Sequence, residues 1–542
     1  MAERVSAGIQ VVEQNGPEHA IARVQTGVTA FIGRTLKGPV NTPVDIDDFA
    51  EFQHVFGGLW QPSTLGYAVE QYFENGGRKA IVVRVCNGGR PPTIALPAGS
   101  ARLKLRGLSP GTREYLRASV DYDGLAREDS ARFNLVVQRV RSPGSEAIED
   151  QEIFRNLSVQ ADDERFVVAV LAESRLVRVD GDVPAQRPDR SPAAPSGAVV
   201  GYVLSGNDGD DGGPISDYDI IGSAQQHTGL FALAAATHFD LLCIPPLTRD
   251  RDVGLSTWLV AARFCRDQHA MLLIDPPIAW NSARAALDGL RGWPFRADNA
   301  ALYFPRVLAF DRLRGRWEQF GSAAAAAGML ARTDVHCPVW SAVDTDEPPL
   351  RPSLKPAVAI NDAERVRMEH LGINTLLGVR ASGVHAGNAR TLADGNAGAT
   401  DWRYLAARRL SLFITASVEN GTRWTIFERN GPATWMRARA QVSAFLEALA
   451  QEGALVGATP EDSYFVICDA RLNSAQVRAQ GKLCILFGFA PSRPGVFQAF
   501  LVTHRANGSQ VRQVWVNRMA TSGRHVTEEI ETQLLRGLVL QD

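Results

Sequence analysis

The 542-residue chain has no long apolar run, no clustered cysteines and no excess of either charge. No stretch of about 18 or more apolar residues occurs, so no membrane-spanning helix is expected. The first twenty residues hold no continuous apolar core, so no secretory signal is expected. The six cysteines, Cys86, Cys243, Cys265, Cys337, Cys468 and Cys484, are scattered, several within apolar runs such as Leu241-Leu242-Cys243-Ile244. They read as buried thiols of a chain that folds in a reducing cytosol. The formal net charge of −2 gives no bulk attraction to nucleic acid. Lysine is scarce and arginine abundant.

Catalytic and metal-binding signatures are missing too. There is no Walker A pattern, no HExxH and no CxxC. Gly107-Leu108-Ser109-Pro110-Gly111 matches the spacing of a nucleophile elbow. The residue after the serine should donate a backbone N–H to an oxyanion, and Pro110 has none. The segment reads as a turn. Asp208-Gly209-Asp210-Asp211-Gly212 lacks the ligand spacing and closing glutamate of an EF-hand, and reads as an acidic loop. Asp275 follows a strand, where α/β enzymes often place a carboxylate, but prolines follow it and no base is evident nearby. The ten histidines are dispersed. No cofactor and no metal site is expected.

What is present is a long mixed pattern. Residues 5–13 are short, extended and β-leaning. A lone terminal strand is not stable in water, so Gly8, Ile9, Gln10, Val11, Val12 and Glu13 are expected to pair with a sheet edge of this chain or of a neighbour. Val28–Gly33 and Ala80–Val85 read as buried strands. Between them, Leu65, Ala68, Val69, Tyr72 and Phe73 recur at helical spacing. Residues 93–205 carry short alternating runs separated by turns, a β-rich insertion. Beyond it, the strands ending Ile244-Pro245-Pro246 and Ile274-Asp275-Pro276-Pro277 argue for a parallel sheet with crossover helices. The last block combines helices at 362–371, 402–420 and 435–452 with strands at 424–428, 464–469, 482–490 and 497–503. Val526–Leu540 is amphipathic. Arg403, Arg408 and Arg409 mark a basic face on the long helix, either solvated or docking an acidic partner.

Three groups of residues resemble the tail sheath family of contractile phages, R-type tailocins and extracellular contractile injection systems. The first runs from Gly27-Val28-Thr29-Ala30-Phe31-Ile32-Gly33 through Lys37-Gly38-Pro39 to Tyr72-Phe73-Glu74-Asn75-Gly76-Gly77. The second includes Leu204-Ser205-Gly206-Asn207-Asp208-Gly209, Ile274-Asp275-Pro276-Pro277 and Ala301-Leu302-Tyr303-Phe304-Pro305. The third includes Gly372-Ile373-Asn374, Ala389-Arg390-Thr391-Leu392, Trp402-Arg403-Tyr404, Arg408-Arg409-Leu410 and Gly421-Thr422-Arg423-Trp424. Their order spans roughly residues 8–503. The chain departs from the family after Ala331-Arg332-Thr333-Asp334, where Val335-His336-Cys337-Pro338 replaces a Gly-Val-Trp-lysine stretch. The tail beyond residue 505 is also longer than usual.

The resemblance implies a multidomain, mixed α+β (α/β) subunit with extended terminal arms. Its inner domain is built from both chain ends, with outer domains inserted. The expected segments are an N-terminal strand-donor arm (1–25), half of the inner domain (26–90), a β-rich outer domain (91–215), an α/β middle domain (216–345), a linker (346–360), the second inner half (361–505) and a C-terminal extension (506–542). The function implied is mechanical, not enzymatic. Subunits stack as hexameric rings around an inner tube and contract to drive it through a target envelope. Partners would be other copies, the inner tube protein, and baseplate and tail-terminator or cap proteins, with no nucleic acid and no membrane insertion. Assembly would occur in a bacterial cytoplasm, with release by lysis as part of a phage tail or tail-like particle. Arg403, Arg408 and Arg409 become candidates for tube contact. The alternatives are a type VI secretion-like sheath component and a cytosolic α/β enzyme.

Overall fold

The structure is a computed structural model. It describes residues 20–126, 129–192, 201–341, 349–351, 353–379, 383–386, 389–393 and 400–514. The chain divides into two compact units, Thr26–Asn396 and a second made of Met1–Gln25 with Ala397–Asp542.

The larger unit opens with β1 (Val28–Gly33), β2 (Val44–Ile46), α1 (Phe49–Phe56), α2 (Leu65–Glu74) and β3 (Lys79–Arg84). The Asp48 side chain caps α1 by accepting from the Glu51 N–H, and Gly57, at φ 87°, ends it in the left-handed region. The chain then enters the insertion: β4 (Thr93–Ala98), β5 (Ala101–Gly107), β6 (Tyr115–Asp121), β7 (Arg132–Val140), β8 (Ile148–Ser158), α3 (Val167–Leu171), β9 (Val177–Val179) and β10 (Val203–Leu204). It returns through α4 (Asp217–Ile221), β11 (Leu241–Cys243), α5 (Leu255–Asp267), β12 (Met271–Ile274), α6 (Ala283–Arg291) and β13 (Ala300–Phe304). A hairpin of β14 (Val307–Asp311) and β15 (Arg316–Phe320) follows, then α7 (Ala323–His336), β16 (Lys355–Pro356), α8 (Asp362–His370), β17 (Ile373–Val379) and β18 (Gly383–Ala386).

One eight-stranded sheet organises this unit, in the order β18-β17-β13-β12-β11-β1-β3-β2. The pairs from β17 through β3 are parallel, and only the edges β18 and β2 run antiparallel. β1, β3, β11, β12 and β13 are buried almost throughout, as strands covered on both faces must be. On one face, Ala30, Ile32, Leu242, Leu272 and Leu302 pack with Trp258, Phe264 and Leu290 of α5 and α6. On the other, Phe31 meets Tyr72 of α2 edge-on, ring centroids 5.5 Å apart. There α7 crosses α2 so closely that a Cβ at Gly328 would lie 2.3 Å from the Tyr72 carbonyl oxygen.

Residues 26–90 share a hydrogen-bonded ladder with β11, Thr29 opposite Leu241 and Phe31 opposite Cys243. They therefore fold with the middle segment, and α8, β17 and β18 join the same unit. The second unit joins Met1–Gln25 to the chain from Ala397 onward.

The insertion is β-rich, with sheets β10-β6-β7-β8 and β4-β5-β9 around Ile94, Leu103, Leu105, Leu116, Phe133 and Leu135. β5 alternates strictly, Leu103 and Leu105 inward, Lys104 and Arg106 outward.

The smaller unit holds a 3₁₀ turn (Thr400–Arg403), α9 (Leu405–Gly421), a second 3₁₀ turn (Arg423–Phe427), α10 (Pro432–Gln451), α11 (Pro460–Ser463), β19 (Tyr464–Ile467), α12 (Ala475–Ala479), β20 (Leu483–Phe489), β21 (Gln498–Arg505) and β22 (Gly508–Val514). The four strands form one antiparallel sheet in sequence order. Residues 424–428, expected as a strand, are the second 3₁₀ turn. Thr425 Oγ1 donates to the Thr422 carbonyl and Trp424 Nε1 to Gln441 of α10, which fixes a tight helix-to-helix turn.

Candidate assembly surfaces

Residues 20–25 are part of the smaller unit and are pinned to it. Ile21 fills the space beside Gly421, where a Cβ would come within 2.8 Å of Ile21 Cγ1. The Val24 N–H donates to Ser417 Oγ at 3.2 Å. Arg23 donates twice to Glu452, Nη1 to Oε2 at 2.9 Å and Nη2 to Oε1 at 2.5 Å. Those hydrogen bonds hold the Glu452 carboxyl below its usual range. The expected arm strand, Gly8, Ile9, Gln10, Val11, Val12 and Glu13, lies outside the described residues.

The same unit carries an open sheet edge. Among the described residues, β22 pairs only with β21, and its outer backbone groups can accept an added strand.

Arg403, Arg408 and Arg409 were expected together on one basic face. Arg403 is exposed, but Arg408 and Arg409 are only 3% and 7% exposed. The Arg408 guanidinium lies over the buried Trp402 ring, Cζ 5.0 Å from its centroid. Most of α9 is covered, including the polar Ser411, Thr415, Ser417 and Glu419. Mid-helix arginines there cannot stay in water, so the basic face reduces to one exposed residue, Arg403.

The crevice beyond the carboxyl ends of β11 and β12 is where an open α/β sheet would place an active site. Here it is filled. Asp275 is half-buried and accepts from the Ala323 N–H at 2.8 Å, at the start of α7. Burial pushes its carboxyl above the usual range, against the pull of Arg306. Arg306 in turn donates to the Pro276 carbonyl at 2.8 Å and pairs with Asp252. Arg249 pairs with Asp311 and Glu318, both at 2.7 Å, and lies over the rings of Tyr67 and Phe320. The space left is about 20 Å³, room for about one water molecule.

The other sequence motifs also have structural partners. Ser109 is 2% exposed, and the Pro110 carbonyl accepts from Arg84 Nη2 at 2.7 Å. Arg84 Nη1 donates to the Gly38 carbonyl at 2.6 Å. Asp208 accepts from the backbone and hydroxyl of Thr93, and Asp211 does the same for Thr112. Among the described residues, no group of three or more His, Cys, Asp or Glu is placed to hold a metal, and no helix is long and apolar enough to cross a membrane. The sequence reading missed the contacts that fasten these parts, Arg23–Glu452, Lys37–Glu149 and Arg249–Asp311, because partners so far apart leave no local pattern.

No family model and no curated protein sequence matches the chain. Solved structures do. The sheath tail protein from Listeria innocua superposes with a TM-score of 0.58 at 12% identity, over 90% of this chain and 96% of that one. A subunit of the PVC sheath complex of an extracellular contractile injection system, in its contracted state, gives 0.51 at 16% identity, over 91% and 96%. The chain shares the fold of contractile sheath proteins. Both alignments run over nearly the whole of each chain.

Proposed function

We propose that this chain is a sheath subunit of a contractile tail or tail-like injection machine. It polymerises as stacked hexameric rings around an inner tube and contracts to drive that tube through a target envelope. The observation that carries this reading is the near-complete alignment with the Listeria innocua sheath tail protein at a TM-score of 0.58. The filled crevice around Asp275 favours it over an α/β enzyme, since the carboxylate at that position is spent on capping α7.

Residues 1–19 leave the smaller unit beside Arg23 and donate a strand, Gly8–Glu13, to a sheet edge of a neighbouring copy. The open edge of β22 is the receiving position. Main-chain hydrogen bonds then link copies and survive rigid-body motion of the subunits. Contraction draws on apolar surface buried between copies, at about 25 cal/mol per Å². Arg403 is the tube-contact residue of the original three. Baseplate and cap proteins bind the two ends of the polymer.

The test is negative-stain electron microscopy of the purified chain, alone and with the inner tube protein. Hollow helical tubes, lost on deletion of residues 1–19, support both the sheath role and the arm. Dispersed monomers under every salt condition, even with the tube protein present, would overturn the reading.

A further inference from the structure

The smaller unit exposes an aromatic and cationic ledge. Phe427, at the end of the second 3₁₀ turn, is 90% exposed, and Met436, on α10, is 69% exposed. The ledge is held rigidly from below. Trp424 Nε1 donates to Gln441 Oε1 at 2.8 Å, the Arg437 guanidinium lies 4.7 Å from the Trp424 ring centre, and Arg437 pairs with Glu428 at 3.1 Å. Arg423 and Arg429, four positions before and two after Phe427, and Arg437 are exposed, with Glu428 the exposed acid among them. Aromatic, methionine and arginine side chains gathered in this way mark an interaction surface more than a solvated one.

The sequence supplies a complementary occupant. Beyond Val514 the chain continues through residues 515–542, outside the described residues. There Val526, Ile530, Leu534 and Leu538 recur at every fourth position, the spacing of a helix with one apolar stripe. Residues 526–542 hold the acids Glu528, Glu529, Glu531 and Asp542 against one base, Arg536. The apolar stripe matches Phe427 and Met436, and the acidic balance matches the three arginines. Residues 515–525 span up to about 36 Å when extended, at about 3.3 Å per residue. That is comparable to the diameter of a domain of this size, about 35 Å. Tethering on the same chain gives such a segment an effective concentration on the order of millimolar.

We infer that the ledge around Phe427 is the docking site for this chain's own segment 526–540, bound as an amphipathic helix with its glutamates over the arginines. The inference does not depend on the sheath reading, and its test can fail while that reading stands.

The experiment places p-benzoylphenylalanine at position 427 in the full-length chain. Irradiation of the dilute monomer is followed by mass spectrometry of the cross-linked peptides. The expected product joins position 427 to a residue within 526–540 in a monomer-sized band. Its yield should fall at least fivefold in Ile530→Asp/Leu534→Asp and in Arg429→Glu/Arg437→Glu. The same probe at Tyr218, which is 87% exposed in the other unit, should give no adduct with that segment. Absence of the 526–540 adduct from position 427, or its appearance only in dimer-sized bands, overturns the proposal. Insensitivity to both pairs of substitutions overturns it as well.

Discussion

Arg23 and Glu452 stand 429 positions apart in the sequence and meet in a two-pronged ion pair, with N–O distances of 2.9 and 2.5 Å. The contact fixes where the N-terminal segment leaves the smaller unit.

Both side chains are 44% exposed, so the pair contributes only about 0.5–1 kcal/mol to global stability. Its local effect should be larger. Arg23→Ala is expected to leave the melting temperature within about 3 °C while raising hydrogen exchange and proteolysis at residues 20–25. Gly421→Leu should do the same by evicting Ile21. Because Arg23 holds the Glu452 carboxyl low, the contribution is present above pH 4.5 and is lost as pH falls through the lowered value. Unchanged exchange at 20–25 in both variants would show the segment is held by other means.

His504 should make the smaller unit acid-sensitive. It is 1% exposed, with Nε2 2.8 Å from Thr422 Oγ1 and Nδ1 2.6 Å from Ser509 Oγ. Thr422 Oγ1 already donates to the Val418 carbonyl, so it accepts from Nε2–H and Ser509 donates to Nδ1. Burial lowers the imidazole to about 4 from 6.5, with Glu419 opposing and Arg423 reinforcing the shift. The folded state favours the neutral ring, so stability is complete above pH 6.5 and declines as pH falls towards 4. The full effect is on the order of 3 kcal/mol. Urea unfolding at pH 7 and pH 4 should show a drop that is smaller by about this amount in His504→Gln. Equal drops in the two proteins would remove His504 as the cause.

Asp275 is a helix cap held at an electrostatic cost. Burial raises its carboxyl, so the charged form opposes folding once pH rises through the raised value. Asp275→Asn keeps an acceptor for the Ala323 N–H and removes the charge. The variant should be as stable as the parent at pH 7 or more so, whereas Asp275→Ala should lose about 1–2 kcal/mol with the cap. A loss above about 1 kcal/mol in Asp275→Asn would mean the charge itself is needed there.

The three helix arginines should separate cleanly. Arg403→Glu, at an exposed position, should change stability by less than about 0.5 kcal/mol and, under the proposed sheath role, act on assembly around the tube. Arg408→Glu places a new charge where the parent side chain is 3% exposed, and should cost about 3–5 kcal/mol. Thermal melts of the two variants check this before any assembly assay. A normal melt for Arg408→Glu would mean the 402–409 region opens readily.

Much of the larger unit was legible because its signals are local. The apolar runs stopped by Pro245-Pro246 and Pro276-Pro277 have no polar face, which suits only strands covered on both sides, and they lie parallel. β8 escaped notice because Ile148–Ser158 is an edge strand, rich in Glu, Asp and Gln, with little alternation to read. Residues 424–428 misled because Trp, Thr, Ile and Phe favour strands, while two threonine hydroxyls and a short span between helices decide for a turn. The grouping of residues 26–90 depends on which strand lies beside Thr29, and nothing near residue 29 names Leu241. Arg408 and Arg409 misled for a related reason. Charge on a helix suggests water, yet α9 is enclosed on sides that only tertiary packing reveals.

The join between the β-rich insertion and the parallel sheet has a mechanical consequence. Two chain segments cross it, bridged at Asn87–Gly213 and Arg90–Asp210, and Arg84 ties the carbonyls of Gly38 and Pro110 across the same junction. A single strand there would act as a swivel. A doubled, cross-braced neck resists torsion, so a sideways push on the insertion is delivered to the sheet as torque with little lost to bending at the joint.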